Sequence, residues 1–236
     1  MYKRQIFNFA TGWGVTLRLA TKDWALAVDG SQRDEPLVML VAKAGQVAWC
    51  ASPELPAPVL VAAVREALVA HRSRIGSVVA VSGPGSYIGV RGGLAAALGA
   101  AQSLACPLSL VGALEVIAAQ ADPGGEGVLA LADAGRGGSF GQVLEPDLRE
   151  GLPIRWLPLG RAQLLSRELP WPDSWAALRF AIGGPGAGRT LPAGTVSMTP
   201  IRDRRRALAL VVAADPAPIS GYDRVTADYA EPVGAR

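Results

Sequence analysis

Residues 78–94, VVAVSGPGSYIGVRGGL, constrain this chain more than any other stretch. The β-branched run over 77–82 is continuous rather than alternating, which marks a strand buried on both faces. Gly83-Pro84-Gly85-Ser86 then makes a tight turn, and the small-residue stretch 89–105 predicts the next helix. A strand covered on both faces needs helices on both sides of its sheet, so the class is α/β. Backbone N–H groups at such a junction can hold an anion. A phosphate loop and a purely structural turn both satisfy the pattern. It is not a Walker A loop, because Val90-Arg91 follow Gly89 where Lys-Ser/Thr is required. Nor is Gly83-x-Gly85-x-x-x-Gly89 the dinucleotide spacing.

The same strand-then-helix rhythm runs along the chain. Residues 24–28 form an apolar run ending in Asp29-Gly30-Ser31, a strand and a tight turn. Runs at 37–41 and 46–50 flank Lys43-Ala44-Gly45 as a hairpin. Pro53, Pro56 and Pro58 precede a helix over 59–72, with Leu60, Val64 and Leu68 at helical spacing. A strand at 108–111 and a helix at 113–121 follow, then the loop or boundary Asp122-Pro123-Gly124-Gly125. The strand at 128–132 ends in Asp133-Ala134-Gly135 and has a hairpin partner at 140–144. Residues 146–175, punctuated by Pro and Trp, carry no clear period. A strand at 180–182 leads into Gly183-Gly184-Pro185-Gly186, and 207–214 is the last clear helix. Leu26-Ala27-Val28-Asp29-Gly30 echoes Leu131-Ala132-Asp133-Ala134-Gly135, as two halves of a duplicated fold would. The implied division is 1–21 as an extension or mis-assigned start, 22–121 as one lobe carrying the Gly-Pro-Gly motif, and 122–236 as a smaller lobe.

With half of its 236 residues apolar and 18% charged, the chain buries a sizeable core without staples. Two cysteines, Cys50 and Cys106, are too few for a disulfide or zinc framework, which fits a reducing, cytoplasmic setting. The net charge of +3 does not support nucleic-acid binding by this chain alone. Its one dense cluster, Arg202-Asp203-Arg204-Arg205-Arg206, reads either as an anion contact or as a solvated helix start. Residues 92–114 carry no charge and are long enough to span a bilayer. Gln102, Pro107 and several glycines and serines instead make them a helix followed by a short strand. Lys3 and Arg4 before an apolar stretch faintly suggest a signal peptide, weakened by Asn8, Thr11, Gly12 and Gly14. The chain reads as soluble, without a membrane partner.

The inventory of reactive groups is narrow. His71 is the single histidine, so no His-x-x-x-His metal pair exists, and its place at a helix end suits a surface role. Nothing local supports a triad with Ser86. Asp29 and Asp133 are either the paired acids of an ATP-dependent phosphotransferase or two turn-capping aspartates. The helix at 89–105 has one apolar face, Leu94, Leu98, Ala101 and Ala105. A second face, Gly92, Ala96, Gly99 and Ser103, is wholly small. Such a face admits another helix closely, either the helix at 59–72 or a helix of a partner.

The stretch from Ser82 onward resembles the signature of the TsaB (YeaZ) family. Gly83, Pro84, Gly85, Ser86, Gly89, Arg91, Pro107 and Leu114-Glu115 match in register, while Tyr87 and Ile88 stand where the family has Phe and Thr. The strand ending in Asp29 resembles the family's opening Ile-Asp-Thr, with Gly30 for Thr, and 129–136 resembles its second-lobe strand. Both Tyr222-Asp223-Arg224 and Ala230-Glu231-Pro232-Val233 echo its closing motif. The resemblance runs from residue 22 to the end and is strongest over 77–118. A family-typical His-Ser pair is replaced by Ser52-Pro53-Glu54, which together with Gly30 marks either a divergent member or a paralogue with altered partner contacts.

This resemblance implies a duplicated ribonuclease-H-like fold of two lobes, as in actin-like ATPases and sugar kinases. It implies a non-catalytic scaffold or activator that pairs with a TsaD-like catalytic subunit and a TsaE-like ATPase in threonylcarbamoyl transfer to tRNA adenosine. tRNA would be met only through the complex, and for the chain alone both a monomer and a homodimer stay open. The motif residues and the small face, Gly92, Ala96, Gly99 and Ser103, are the implied partner interface. Asp29 and Ser31 are candidate nucleotide contacts. No cofactor or metal of its own is implied, with ATP at the complex interface. The competing expectation is the phosphotransferase of the same superfold built on Asp29 and Asp133.

Overall fold

The computed structural model describes residues 22–232, apart from 33, 52–59, 123, 136–137, 149–153, 167–170, 176–177, 184–190, 192, 222–224 and 229–230. Several sequence expectations lie outside the described residues: the 1–21 extension, Ser52-Pro53-Glu54, the turn at 184–186, and Tyr222-Asp223-Arg224.

Two mixed sheets repeat one topology. In the first, β1 (Trp24–Asp29), β2 (Leu37–Ala42) and β3 (Gln46–Cys50) form an antiparallel meander. β4 (Ile75–Val81) and β5 (Leu108–Val111) then extend β1 in parallel, giving the order β3-β2-β1-β4-β5. In the second, β6 (Val128–Gly135), β7 (Gly138–Asp147) and β8 (Arg155–Leu165) are the meander. β9 (Phe180–Gly183) and β10 (Val196–Met198) are the parallel extension. Read from its first strand, each sheet has the order 3-2-1-4-5, so the echo between Asp29 and Asp133 reflects duplication. A short strand, β11 (Glu231–Pro232), adds to the outer edge of β8.

Alternation along β1 explains the layering, because successive side chains point to opposite faces. Leu26 and Val28, with Val38, Leu40, Val78 and Ala80, meet α1 (Leu60–His71) and α2 (Tyr87–Leu104). Ala27, with Met39, Val41, Val79 and Val81, faces α3 (Ala113–Ala118) and α4 (Arg204–Ala213) on the other side. The same cluster takes in Val128, Ala130, Leu144 and Ile182 of the second sheet, against which α3 packs, while α4 packs on β1, β2 and β3. One helical layer therefore serves both sheets. Among the described residues, no α-helix covers the far face of the second sheet. Leu129, Leu131, Val143 and Leu165 are covered there by Trp175, in a short 3-10 turn. Gly141 makes this possible, since a Cβ on it would stand 2.8 Å from the Trp175 ring.

Element ends differ from the sequence expectation for local reasons. α2 begins at Tyr87, because Ser86 caps it with Oγ accepting from the Gly89 N–H at 3.3 Å. α4 begins at Arg204, capped by Asp203, whose Oδ1 accepts from the Arg206 N–H at 2.7 Å. β8 and β10 were not anticipated. The uncharged stretch 92–114 divides among α2, β5 and the start of α3. No helix among the described residues is long and apolar enough to cross a membrane.

The change of sheet falls between α3 and β6. Beyond residue 200 the chain returns to the first sheet, where the Ser109 hydroxyl donates to the Pro216 carbonyl at 2.8 Å. Ile219 N donates to Leu108 O at 2.9 Å and Asp228 N to Ser82 O at 2.7 Å.

Candidate functional site

Because β1 and β4 are parallel neighbours, the turns at their C-terminal ends lie side by side. Ser86 N donates to Ser31 O at 2.7 Å. A Cβ on Gly30 would lie 2.1 Å from the Gly89 oxygen, and one on Gly89 would lie 2.1 Å from the Gly30 oxygen. A Cβ on Gly85 would lie 2.3 Å from Ser31 O. The Gly-Pro-Gly turn is thus clasped, backbone to backbone, onto Asp29-Gly30-Ser31. Three amides of this junction are already engaged: Ser86 N by Ser31, Gly89 N by the Ser86 hydroxyl, and Val90 N by the Ser86 carbonyl. Of the two readings left open by sequence, this geometry is that of a structural turn. It also accounts for Gly30, since a threonine there would collide with Gly89.

Asp29 is fully buried. Its Oδ1 accepts from Ser31 N at 2.8 Å, and its Oδ2 pairs with Arg204 Nη2 at 2.6 Å. The same guanidinium nitrogen lies 3.3 Å from Ser31 Oγ, and Arg204 Nη1 donates to the Glu35 carbonyl. Asp29 and Ser31, the candidate nucleotide contacts, are thus both held by one arginine.

The arginine cluster is correspondingly not a solvated helix start. The Arg204 side chain is only 11% exposed. Arg206 donates to the Gly45 carbonyl at 2.6 Å, and Arg202 donates to the Ala121 carbonyl at 2.7 Å while lying 3.8 Å from Asp122. Three of its four arginines tie α4 and its approach to the first lobe. Sequence reasoning missed this role for Arg204; the only signal was an unusually dense basic run at a helix start.

Asp133 behaves differently. It is exposed, and its Oδ1 accepts from Gly135 N at 2.9 Å. Asp133 is a turn-capping residue on the second sheet, and Asp29 is ion-paired on the first, so the two do not form a working pair of acids. His71 ends α1 as expected but is half-buried, with its ring 5.6 Å from that of Trp24 and 6.1 Å from that of Trp49. It is a packed residue rather than a surface one. Among the described residues neither Cys50 nor Cys106 forms a disulfide, and burial pushes both thiols up in pKa. Among the described residues no three His, Cys, Asp or Glu side chains group as metal ligands.

The small face of α2 lies open. Gly92, Gly99 and Ser103 are exposed and Ala96 is half-buried. Among the described residues, nothing stands within 4 Å of a Cβ built on Gly92 or Gly99. The helix α1 runs alongside rather than over this stripe, with Arg72 donating to the Ser103 carbonyl at 2.6 Å. At the other end Tyr87 and Ile88 are 56% and 78% exposed, and the Arg91 guanidinium lies 4.2 Å over the Tyr87 ring. Val61 and Val69 of α1 add exposed apolar surface.

Repeated 3-2-1-4-5 sheets sharing a helical layer define the class: a two-lobed, duplicated ribonuclease-H-like α/β protein. Within that class the likeness is to YeaZ. YeaZ from Pseudomonas aeruginosa superposes with a TM-score of 0.62 at 23% identity, over 88% of this chain and 99% of that one. An uncharacterized protein with similarity to peptidase YEAZ, also from Pseudomonas aeruginosa, gives 0.61 at 23% identity with the same coverage. The model of the family TsaD, tRNA N6-adenosine threonylcarbamoyltransferase, matches residues 55–142. No curated protein matches in sequence. These findings support the TsaB-family resemblance carried by the Gly-Pro-Gly motif.

Proposed function

We propose that this chain is a non-catalytic scaffold or activator subunit in threonylcarbamoyl transfer to tRNA adenosine, working beside a TsaD-like catalytic subunit and a TsaE-like ATPase. The YeaZ-like fold and the TsaD-family match support a part in this tRNA modification. The observation that carries the subunit role is the open stripe of Gly92, Ala96, Gly99 and Ser103 on α2, with Ile88 exposed one turn before it. A face without bulk lets a partner helix approach its backbone. The same face serves a second copy of this chain when the catalytic subunit is absent. Arg204 already neutralises Asp29, so ATP contact is assigned to the junction with the partner. The setting is cytoplasmic, and tRNA is met through the assembled complex.

The test uses Gly99→Arg. With nothing near the Gly99 position, the variant should fold normally, since replacing an exposed helical glycine gains up to ~1 kcal/mol. Against a partner helix, the unpaired charge would cost several kcal/mol. Expected are an unchanged or raised melting temperature, loss of the TsaD-like protein in a pull-down, and loss of tRNA modification by the reconstituted mixture. A folded variant that binds the TsaD-like protein at wild-type strength overturns the assignment.

A further inference from the structure

Between the lobes lies a cavity of about 210 Å³, walled by β5, α3, the start of β8 and the end of α4 with the segment after it. Its apolar wall includes Leu110, Val111, Trp156, Leu157 and Val211, and two charged side chains enter it, Glu115 and Arg155. Glu115 uses Oε1 to accept from Gly112 N at 2.9 Å, which caps α3. Among the described residues, no hydrogen bond or ion pair engages its other oxygen, and none engages the Arg155 guanidinium. The two groups feel each other electrostatically without being in ion-pair contact. A carboxylate and a guanidinium therefore face one half-apolar space, each with hydrogen-bonding capacity to spare.

We propose that this interlobe cavity is a binding site for a small zwitterion, with its ammonium toward Glu115, its acid group toward Arg155 and its carbon chain against Trp156 and Val211. A simple cation would leave the guanidinium uncompensated, and a simple anion would leave the carboxylate so. A molecule with both ends satisfies both by charge-assisted hydrogen bonds, the stronger kind, and a short methylene chain suits the apolar wall. The C-terminal end of α4, which contributes Val211 and Ala214 to the lining, adds the negative end of a helix dipole and so also favours the ammonium. Burial pushes Glu115 up to about 6, against the opposing influence of Gly112 and Arg155, with Asp228 adding to the rise. The site consequently loads best above that pH. It stands apart from the α2 stripe and from the role in tRNA modification, so either can fail without the other.

The experiment titrates the full chain by calorimetry with ω-amino acids from glycine to 6-aminohexanoate. n-Alkylamines and alkanoates of matching length serve as single-charge controls. One chain length should bind best, roughly tenfold or more tighter than either control, and weaken as pH falls below 6. Glu115→Gln, which keeps an oxygen for Gly112, and Arg155→Gln should each cost about tenfold or more, with circular dichroism checking that both fold. Absence of binding by every ω-amino acid at millimolar concentration overturns the proposal. So does equal binding by the controls, or wild-type affinity in both folded variants. If a variant fails to fold, the chain-length and control series on the wild type still decide.

Discussion

The two sheets share one topology yet treat the acid at the end of their first strand in opposite ways. Asp29, closing β1, is buried and ion-paired to an arginine 175 residues later. Asp133, two residues before the end of β6, is exposed and caps its own turn. Covering differs as well. The first sheet has helices on both faces, whereas the second has one face under helices and the other under Trp175. Topology was thus retained while both the outer helices and the electrostatics diverged. A shared strand-end aspartate is a record of duplication here, and its neighbours decide what it does.

The sharpest way to break this comparison is to remove the arginine. Arg204→Ala leaves the Asp29 charge buried without its partner, a change expected to cost about 3–5 kcal/mol. Asp133→Ala should stay within about 0.5 kcal/mol, as exposed substitutions do. Chemical denaturation of both variants measures the pair, and similar losses would mean the two turns are equivalent after all.

Close packing supplies the next contrast. Gly89→Ala drives a methyl group into the Gly30 carbonyl, where only backbone movement relieves the clash, and should cost about 3 kcal/mol or more. Gly141→Ala meets the Trp175 ring at 2.8 Å, and a ring can tilt, so about 1 kcal/mol is expected. Comparable melting temperatures for the two would remove the distinction between a backbone clasp and a side-chain lid.

The junction between the lobes gives the smallest effect. Glu115 rises from 4.5 to about 6 on folding, so the folded state holds its proton more tightly. The resulting stabilisation is full below pH 4.5, fades as pH rises towards 6, and is absent above it. This step is at most about 2 kcal/mol. Asp228, also raised by burial, acts in the same sense. Relative to wild type, Glu115→Gln should therefore gain stability as pH rises across that window. A pH-independent difference in denaturation midpoint would contradict it.

Much of the first lobe was legible because its strands are short, apolar and closed by glycine turns, and its helices have clean periods. The second lobe was harder. β8 contains Pro158, a Gly160 at φ +82, and exposed side chains from Leu157 to Arg161, so neither alternation nor a continuous apolar run marks it. Three-residue β10 is too short to carry a pattern. At the site, the Gly-Pro-Gly turn and the small stripe could be read directly, since both are local. The Arg204–Asp29 pair could not, because nothing in either segment encodes a contact at that separation. The Glu115–Arg155 cavity escaped for the same reason, being assembled from three distant segments.

The shared helical layer also bears on how the protein is made. The inner face of the first sheet rests chiefly on α4, which arrives about 90 residues after β5. At roughly 5–20 residues per second, Met39 and Val41 wait on the order of ten seconds after β5 emerges before Leu208 and Val212 reach them. During that interval the nascent first lobe carries an uncovered apolar sheet face, the kind of surface that holding chaperones recognise. Arg204 leads α4 off the ribosome, so its pairing with Asp29 closes the first of the described strands with the opening turn of the last described helix.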